Sequence, residues 1–276
     1  PSRPRTTSTS RQDLLLRKIR GVCRRWHQSQ TLVEGEQTAR PFRGSQGAGY
    51  TLESLLEIGR NSRPEPDMLG FEVTSFSGGP VSLITTEADQ GVRADAGFDA
   101  FMNQYGVPDD ADPDVRRFVG RHSTLSINPQ TGLRLRIANW DADIGRPTGS
   151  APPVIELFDE QRNAVAAGWS INHLSNKWAA KHANAMYVRS DSRRDASGPH
   201  PTHYWYGPDA IVAKGTDILR FFRAVSIGEI FLDPGDVHRH HGTSRRRTQW
   251  RIRSGTTPSF ARRLGPLYQS VGIATL

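Results

Sequence analysis

The sequence predicts a mixed α/β fold, a mixed central β-sheet flanked by helices. Two interleaved patterns predict it. In several segments apolar residues recur every three or four positions, the period of a helix with one buried face; other short runs alternate apolar and polar residues, as half-buried strands do. Strands and helices that take turns along a chain build layered α/β cores. At 276 residues the chain is long enough for one large domain or two smaller lobes.

Taken in order, the first ten residues, PSRPRTTSTS, read as a disordered or truncated lead-in. From Arg11 to Trp26, Leu14, Leu15, Ile19 and Val22 recur at helical spacing among arginines, which predicts an amphipathic helix with a basic outer face. Thr31 to Gly49 is a polar, glycine-bearing loop leading into a helix in which Leu52, Leu55, Leu56 and Gly59 share a face, Thr51 is a candidate cap and Glu53 stands at the margin of the buried side. A turn rich in proline and charge, Asn61 to Asp67, precedes a strand from Gly70 to Phe76. Its period of two puts Glu72, Thr74 and Phe76 on one face and Phe71, Val73 and Ser75 on the other. Pro80 to Thr86 is its expected hairpin partner across Gly78-Gly79.

Residues 88 to 97 read as loop and Phe98 to Tyr105 as a short helix. Leu133, Leu135 and Ile137 alternate with Arg134 and Arg136 in a strand, and Val154 to Phe158 is a short apolar run. A helix is expected from His173 to Val188, with Lys177 and Lys181 one turn apart, then loop from 190 to 203. A capped helix runs from Thr216 to Val225. Strands Glu229 to Leu232 and Thr248 to Arg253 flank the basic stretch His238 to Arg247. No repeat of fixed period occurs.

The formal net charge is +8, and of 36 basic residues only Lys18, Lys177, Lys181 and Lys214 are lysine. An arginine excess suits forked hydrogen bonding to phosphate or guanine, and equally a GC-rich genome; the charge points to a polyanionic partner. No apolar run reaches the 18 or so residues of a membrane span, and the single cysteine, Cys23, has no internal disulfide partner, so an intracellular, cytoplasmic protein is expected.

The chemistry concentrates between Gly47 and Thr74. Hydrolysing a phosphodiester with magnesium needs hard oxygen ligands converging on one point, one carboxylate just before a strand and one within it. Asp67 and Glu72 are placed that way. Two positions beyond the strand acid and on its face, a cation would offset developing charge; Thr74 stands there.

These residues resemble the MvaI/BcnI-like restriction endonucleases, relatives of the mismatch-repair nicking enzyme MutH within the PD-(D/E)XK nuclease fold. The resemblance is carried by Gly47-x-Gly49-Tyr50-Thr51-Leu52-Glu53, by Asn61, by Pro66-Asp67 running into Gly70-Phe71-Glu72, by Leu174-Ser175-x-Lys177-Trp178 with Lys181, by Lys214 to Asp217, by Gly228 to Gly235, and by Arg247 to Ile252. It implies that Asp67 and Glu72 ligate Mg²⁺, that Glu53 supports the metal or its water, and that a monomer clamps duplex DNA between a catalytic core (about 45–190) and C-terminal recognition elements (about 204–276) within one nuclease domain, 11–276. A partner methyltransferase would shield host sites. Thr74 departs from the pattern, which has lysine; Lys177 and Lys181, or Arg134 and Arg136, are the cations that could substitute, or Thr74→Lys would raise a weak activity.

Lys177 and Lys181 also fit a phosphate-facing helix side, and Arg245, Arg246 and Arg247 a basic hold on the duplex. Gln249, Arg251 and Arg253 share a strand face and could pair with base edges. The Asp233, Asp236, His238, His240 and His241 cluster matches no closed zinc spacing, and a basic loop on DNA is the preferred reading. Two alternatives stand beside the nuclease: a nuclease-like scaffold that only binds DNA, and a basic RNA-binding protein, which would ordinarily show aromatic stacking platforms.

Overall fold

The computed structural model describes residues 10–60, 65–195 and 202–276. Nearly all of the expected lead-in, and Asn61 with most of its turn, lie outside them.

A mixed sheet organises the chain. Its strands run in the order Trp26–Gln28, Thr202–Lys214, Asn184–Arg194, Glu72–Phe76, with Ser270–Thr275 also paired to Thr202–Lys214. Glu72–Phe76 lies parallel to Asn184–Arg194, with Glu72 opposite Ala185, and is the edge strand on that side; the other pairings are antiparallel. Side chains alternate across this sheet. Met186, Val188, Ala210 and Val212 join Val73 in one buried cluster, and Ala185, Tyr187, Ile211 and Ala213 join Phe76 in another.

The first cluster seats two helices, Arg11–Val22 and Gly47–Leu55. The second takes the helices Ile171–His182, Ile218–Ser226 and Thr257–Leu264 and continues into three small antiparallel sheets built largely from the stretch between Pro80 and Ser170 and from residues 230–253. The α/β class and the mixed sheet are as the sequence predicts, with seven helices among the described residues.

Several local expectations are corrected. Glu72–Phe76 and Pro80–Thr85 are both strands, but they do not form a hairpin: the first pairs with Asn184–Arg194 and the second with Gln249–Arg253, since Gly78-Gly79 carries the chain from one sheet to another. The helix expected to reach Val188 stops at His182. Residues 184–194, expected as helix and loop, form a long central strand whose Met186-Tyr187-Val188 core favours a sheet once both faces are covered. Thr202 and His203, also expected as loop, open the strand Thr202–Lys214, and 196–201 lies outside the described residues. Residues 88–97 contain a short helix, Val92–Asp95.

In the first helix Leu16, not Leu14, completes the buried stripe with Leu15, Ile19 and Val22. Thr51 is no cap: it is buried inside the helix, where its hydroxyl accepts the Gln30 N–H at 3.0 Å. The later helix is capped by Asp217, which accepts from the Arg220 N–H, rather than by Thr216.

Candidate functional site

Asp67 and Glu72 are brought together by a turn. Met68 and Phe71 exchange backbone hydrogen bonds of 2.9 and 3.1 Å, which forces Leu69 and Gly70 to φ of +53° and +81°. Glycine carries the second of these without penalty, whereas Leu69 holds a left-handed conformation that costs a side-chain-bearing residue on the order of 1 kcal/mol or more. The turn folds Asp67 back on the strand start, where its Oδ2 accepts the Val73 N–H at 2.9 Å.

Glu53 arrives from the helix on one side of the sheet. That helix docks closely because Gly47 packs under Tyr204, whose hydroxyl would lie 2.5 Å from any Cβ there, and because the Tyr206 hydroxyl donates to the Ala48 carbonyl at 2.7 Å. From the other side comes Lys181, in the last turn of Ile171–His182. Leu174, Trp178 and His182 bury one line of this helix: Trp178 stacks on His182 at 4.4 Å and donates to Thr216, and the His182 Nε2 meets the Leu83 carbonyl at 2.9 Å. Burial holds the His182 imidazole down to about 3, so it stays neutral. With that line fixed, Lys177 and Lys181, each one residue before a buried ring, face the acid strand. The Lys181 Nζ stands 3.0 Å from Glu72 Oε1.

The acids perturb one another. Burial, and then the Asp67 charge, push Glu72 up to about 8 and Glu53 up to about 7, against the opposing pull of Lys181. Burial works against the Lys181 ammonium, but the charge and hydrogen bond of Glu72, followed by Asp67 and Glu53, raise its pKa above the ordinary value, so it is charged at neutral pH. Glu72 Oε2 is buried with no hydrogen-bond partner.

Glu53, Asp67, Glu72 and Lys181 line one pocket with Tyr50 and Arg60. A neighbouring cleft of ≈ 700 Å³ shares Glu53, Glu72 and Lys181 with it and runs past Thr74 and Lys177 to Arg247, Gln249 and Arg251. Glu53 and Glu72 thus sit with Lys181 where the two spaces meet, and Lys177, Arg247 and Arg251 add cations along the rest of the cleft among neutral residues.

Other expected residues lie off this wall. The Arg245 Nε donates to the Gly235 carbonyl at 3.0 Å, Arg246 lies over the Phe98 ring at 4.7 Å, and Arg253 is exposed at the end of its strand. Arg134 and Arg136 pair with Glu160 and Glu156 on a separate sheet. In the acid and histidine cluster, Asp236 pairs with Arg93, Asp233 with Arg251, and His238 with Asp99 at 3.2 Å. Tyr50 stands in the sequence only as part of the Gly47–Glu53 resemblance, and Arg60 gives no signal there: an arginine before a proline-rich turn reads as ordinary surface.

Among the described residues no three His, Cys, Asp or Glu side chains gather tightly enough to enclose an ion by themselves. The pair Asp67 and Glu72, with the unpartnered Glu72 Oε2, instead fits a hard divalent ion that keeps water and substrate oxygens as its remaining ligands. Such a pair suffices for magnesium, which resists complete dehydration.

A model of the MvaI/BcnI restriction endonuclease family matches residues 16–260. The structure of the restriction endonuclease MvaI in complex with its cognate DNA substrate superposes with a TM-score of 0.68 over 97% of this chain and 99% of that one, at 19% sequence identity. MvaI in the absence of DNA gives 0.47 over the same shares, at 18% identity. Curated proteins yield no match.

Proposed function

The chain belongs to the MvaI/BcnI restriction endonuclease family, and from that premise we propose that it is a Mg²⁺-dependent endonuclease cutting a specific short sequence in double-stranded DNA. The observation that carries this reading is the convergence of Asp67, Glu72 and Glu53 at the head of a cleft whose farther wall bears Lys177, Arg247, Gln249 and Arg251. A cleft acidic at one end and basic beyond suits a ligand that is itself a polyanion but must be cut in the presence of a cation. Asp67 and Glu72 would hold the ion, which supplies charge stabilisation at the scissile phosphate; Glu53 would hold and orient its water. The duplex would lie along the cationic wall of a monomer working in the cytoplasm beside a methyltransferase that shields host sites. Among the described residues no helix is long and apolar enough to cross a membrane.

The test is incubation of purified protein with phage DNA and Mg²⁺, followed by sequencing of the ends. Discrete ends within one recurring sequence are expected; intact DNA that is nevertheless bound at specific sites would leave a binding protein.

The raised carboxyl pKa values add a pH signature. In the metal-free protein Glu53 and Glu72 carry protons below about 7 and about 8, and an ion must displace them. Divalent-ion affinity is expected to rise with pH through this window and to level off above it, with protons released on binding. Calorimetry in two buffers of different ionisation enthalpy measures the release. An affinity flat from pH 6 to 9 would take both acids out of the site.

Recognition is tested separately. Replacing Lys177 and Arg247, the cations that line the cleft, with Ala is expected to weaken binding to all sequences and to make the log–log salt dependence shallower by about 0.9 for each phosphate left unneutralised. Changing Gln249 or Arg251 should instead reduce discrimination between sites by roughly 1–3 kcal/mol per base pair read. Fluorescence titrations across a salt series distinguish the two, and an unchanged slope in the double variant would put the duplex elsewhere.

A further inference from the structure

We propose that Lys181 supplies the ammonium that strand position 74 lacks, so that the reaction runs with its lysine at the end of a helix rather than in the acid strand. This rests on the endonuclease reading above and adds a residue to it.

Thr74 shares the cleft with Glu72 but brings only a hydroxyl, which can hold a water and carries no charge. Lysine is scarce in the chain, and Lys181 is the one whose Nζ stands within 3.0 Å of the strand acid. Lys177 is a turn further along the cleft and exposed, and Arg134 and Arg136 are engaged on another sheet. The position of Lys181 is built rather than incidental. Its helix is pinned by the buried Trp178 and His182, and the chain then turns through Ala183 into the strand whose Ala185 lies opposite Glu72, so residue 181 must fall beside that acid. A helix C-terminus also favours a cation. The Lys181 ammonium takes Glu72 Oε1 and leaves Oε2 without a partner, so the same carboxylate can serve the ammonium with one oxygen and an ion with the other.

In the hydrolysis, the oxygen of a water forms a new bond to phosphorus while the bond from phosphorus to one sugar oxygen breaks. The water gives up a proton to solvent, the departing oxygen takes one, and the non-bridging oxygens gather negative charge between the two events. An ammonium beside Glu72 offsets that charge and helps hold the attacking water, which a threonine hydroxyl cannot do electrostatically.

The experiment compares wild type, Lys181→Ala, Thr74→Lys and the double variant, using single-turnover DNA cleavage with Mg²⁺ and, separately, Mn²⁺ binding in the absence of DNA. Lys181→Ala is expected to slow cleavage by about 10²–10³-fold, the effect typical of removing one preorganised electrostatic group. It should bind Mn²⁺ as tightly as wild type or more so, because a competing cation has gone. Adding Thr74→Lys to Lys181→Ala should restore at least about tenfold, since an ammonium returns to the same acid from the strand side. Rescue together with retained Mn²⁺ binding is a result that a merely structural lysine would not produce. Cleavage by Lys181→Ala at the wild-type rate overturns the proposal, as does loss of Mn²⁺ binding without rescue. If wild type and Thr74→Lys both bind DNA but cut none with Mg²⁺ or Mn²⁺, the endonuclease reading itself fails and the role of Lys181 falls with it.

Discussion

Asp67→Asn or Glu72→Gln is expected to reduce magnesium-dependent cleavage by roughly 10³-fold or more. Each change removes one of the two charges that would hold the ion, and an ion worth several kcal/mol of charge stabilisation at the transition state accounts for an effect of that order, at about 1.36 kcal/mol per factor of ten. Both substitutions keep shape. The asparagine oxygen can still accept the Val73 N–H that closes the turn, and glutamine keeps the length and an acceptor for Lys181. The fold should therefore survive, and binding of the duplex without metal should be unchanged for Glu72→Gln at neutral pH, where that acid already carries a proton, and unchanged or tighter for Asp67→Asn, which removes a charge that repels phosphate. Cleavage rates with Mg²⁺ beside gel shifts in EDTA measure the two effects separately. Cutting at the wild-type rate by either variant removes that acid from the site, and loss of metal-free DNA binding would make it a structural group instead. Glu53→Gln, one step further from the pair, is expected to cost less.

The acids are legible in the sequence because their geometry is local: a short segment, a turn that requires Gly70, and a strand of period two put Asp67 and Glu72 side by side. The same period separates Val73 from Phe76, which enter different buried clusters. Lys181 is legible as a candidate but not as the partner of Glu72, because its place depends on a parallel register between strands far apart in sequence. The boundary at Ala183 is obscured for a related reason. The Ala-Asn-Ala-Met run continues a helical pattern comfortably, and it is the cover on both faces of the sheet that makes it a strand. The strand Thr202–Lys214 is hidden altogether, since Gly207-Pro208 in its middle reads as a turn and here coincides with an irregularity in its pairing.

Arg93 is equally hidden, and it carries the second large effect. A lone arginine in a Gly- and Asp-rich segment reads as surface, yet its side chain is 4% exposed and is held by Asp236, itself fully buried, with Nη1 to Oδ2 at 2.6 Å. Asp236 also accepts the Arg247 N–H at 2.7 Å, so a buried ion pair anchors the segment that leads into Gln249 and Arg251. Gly235 permits this closeness, since a Cβ there would lie 2.4 Å from the Arg247 guanidinium. Asp236→Ala leaves a buried arginine and a backbone N–H without their acceptor, and removing one partner of such a pair costs about 3–5 kcal/mol. For a chain of this length that corresponds to a fall in Tm of about 5–10 °C. Glu87→Gln touches the other side of Arg93, but Glu87 is 49% exposed, and its loss should cost about 1 kcal/mol or less. Thermal melts of the two variants test this difference, and equal shifts would mean that the buried pair does not anchor the fold. A functional difference should accompany it. At a temperature where Asp236→Ala is still folded, specific DNA should be bound more weakly while non-specific binding is little changed, because Gln249 and Arg251 lose their fixed position while the cations of the cleft remain. If the variant melts early yet discriminates between sites as well as wild type, the anchor serves stability alone, and the positions of Gln249 and Arg251 are set by their own strand pairing with Pro80–Thr85.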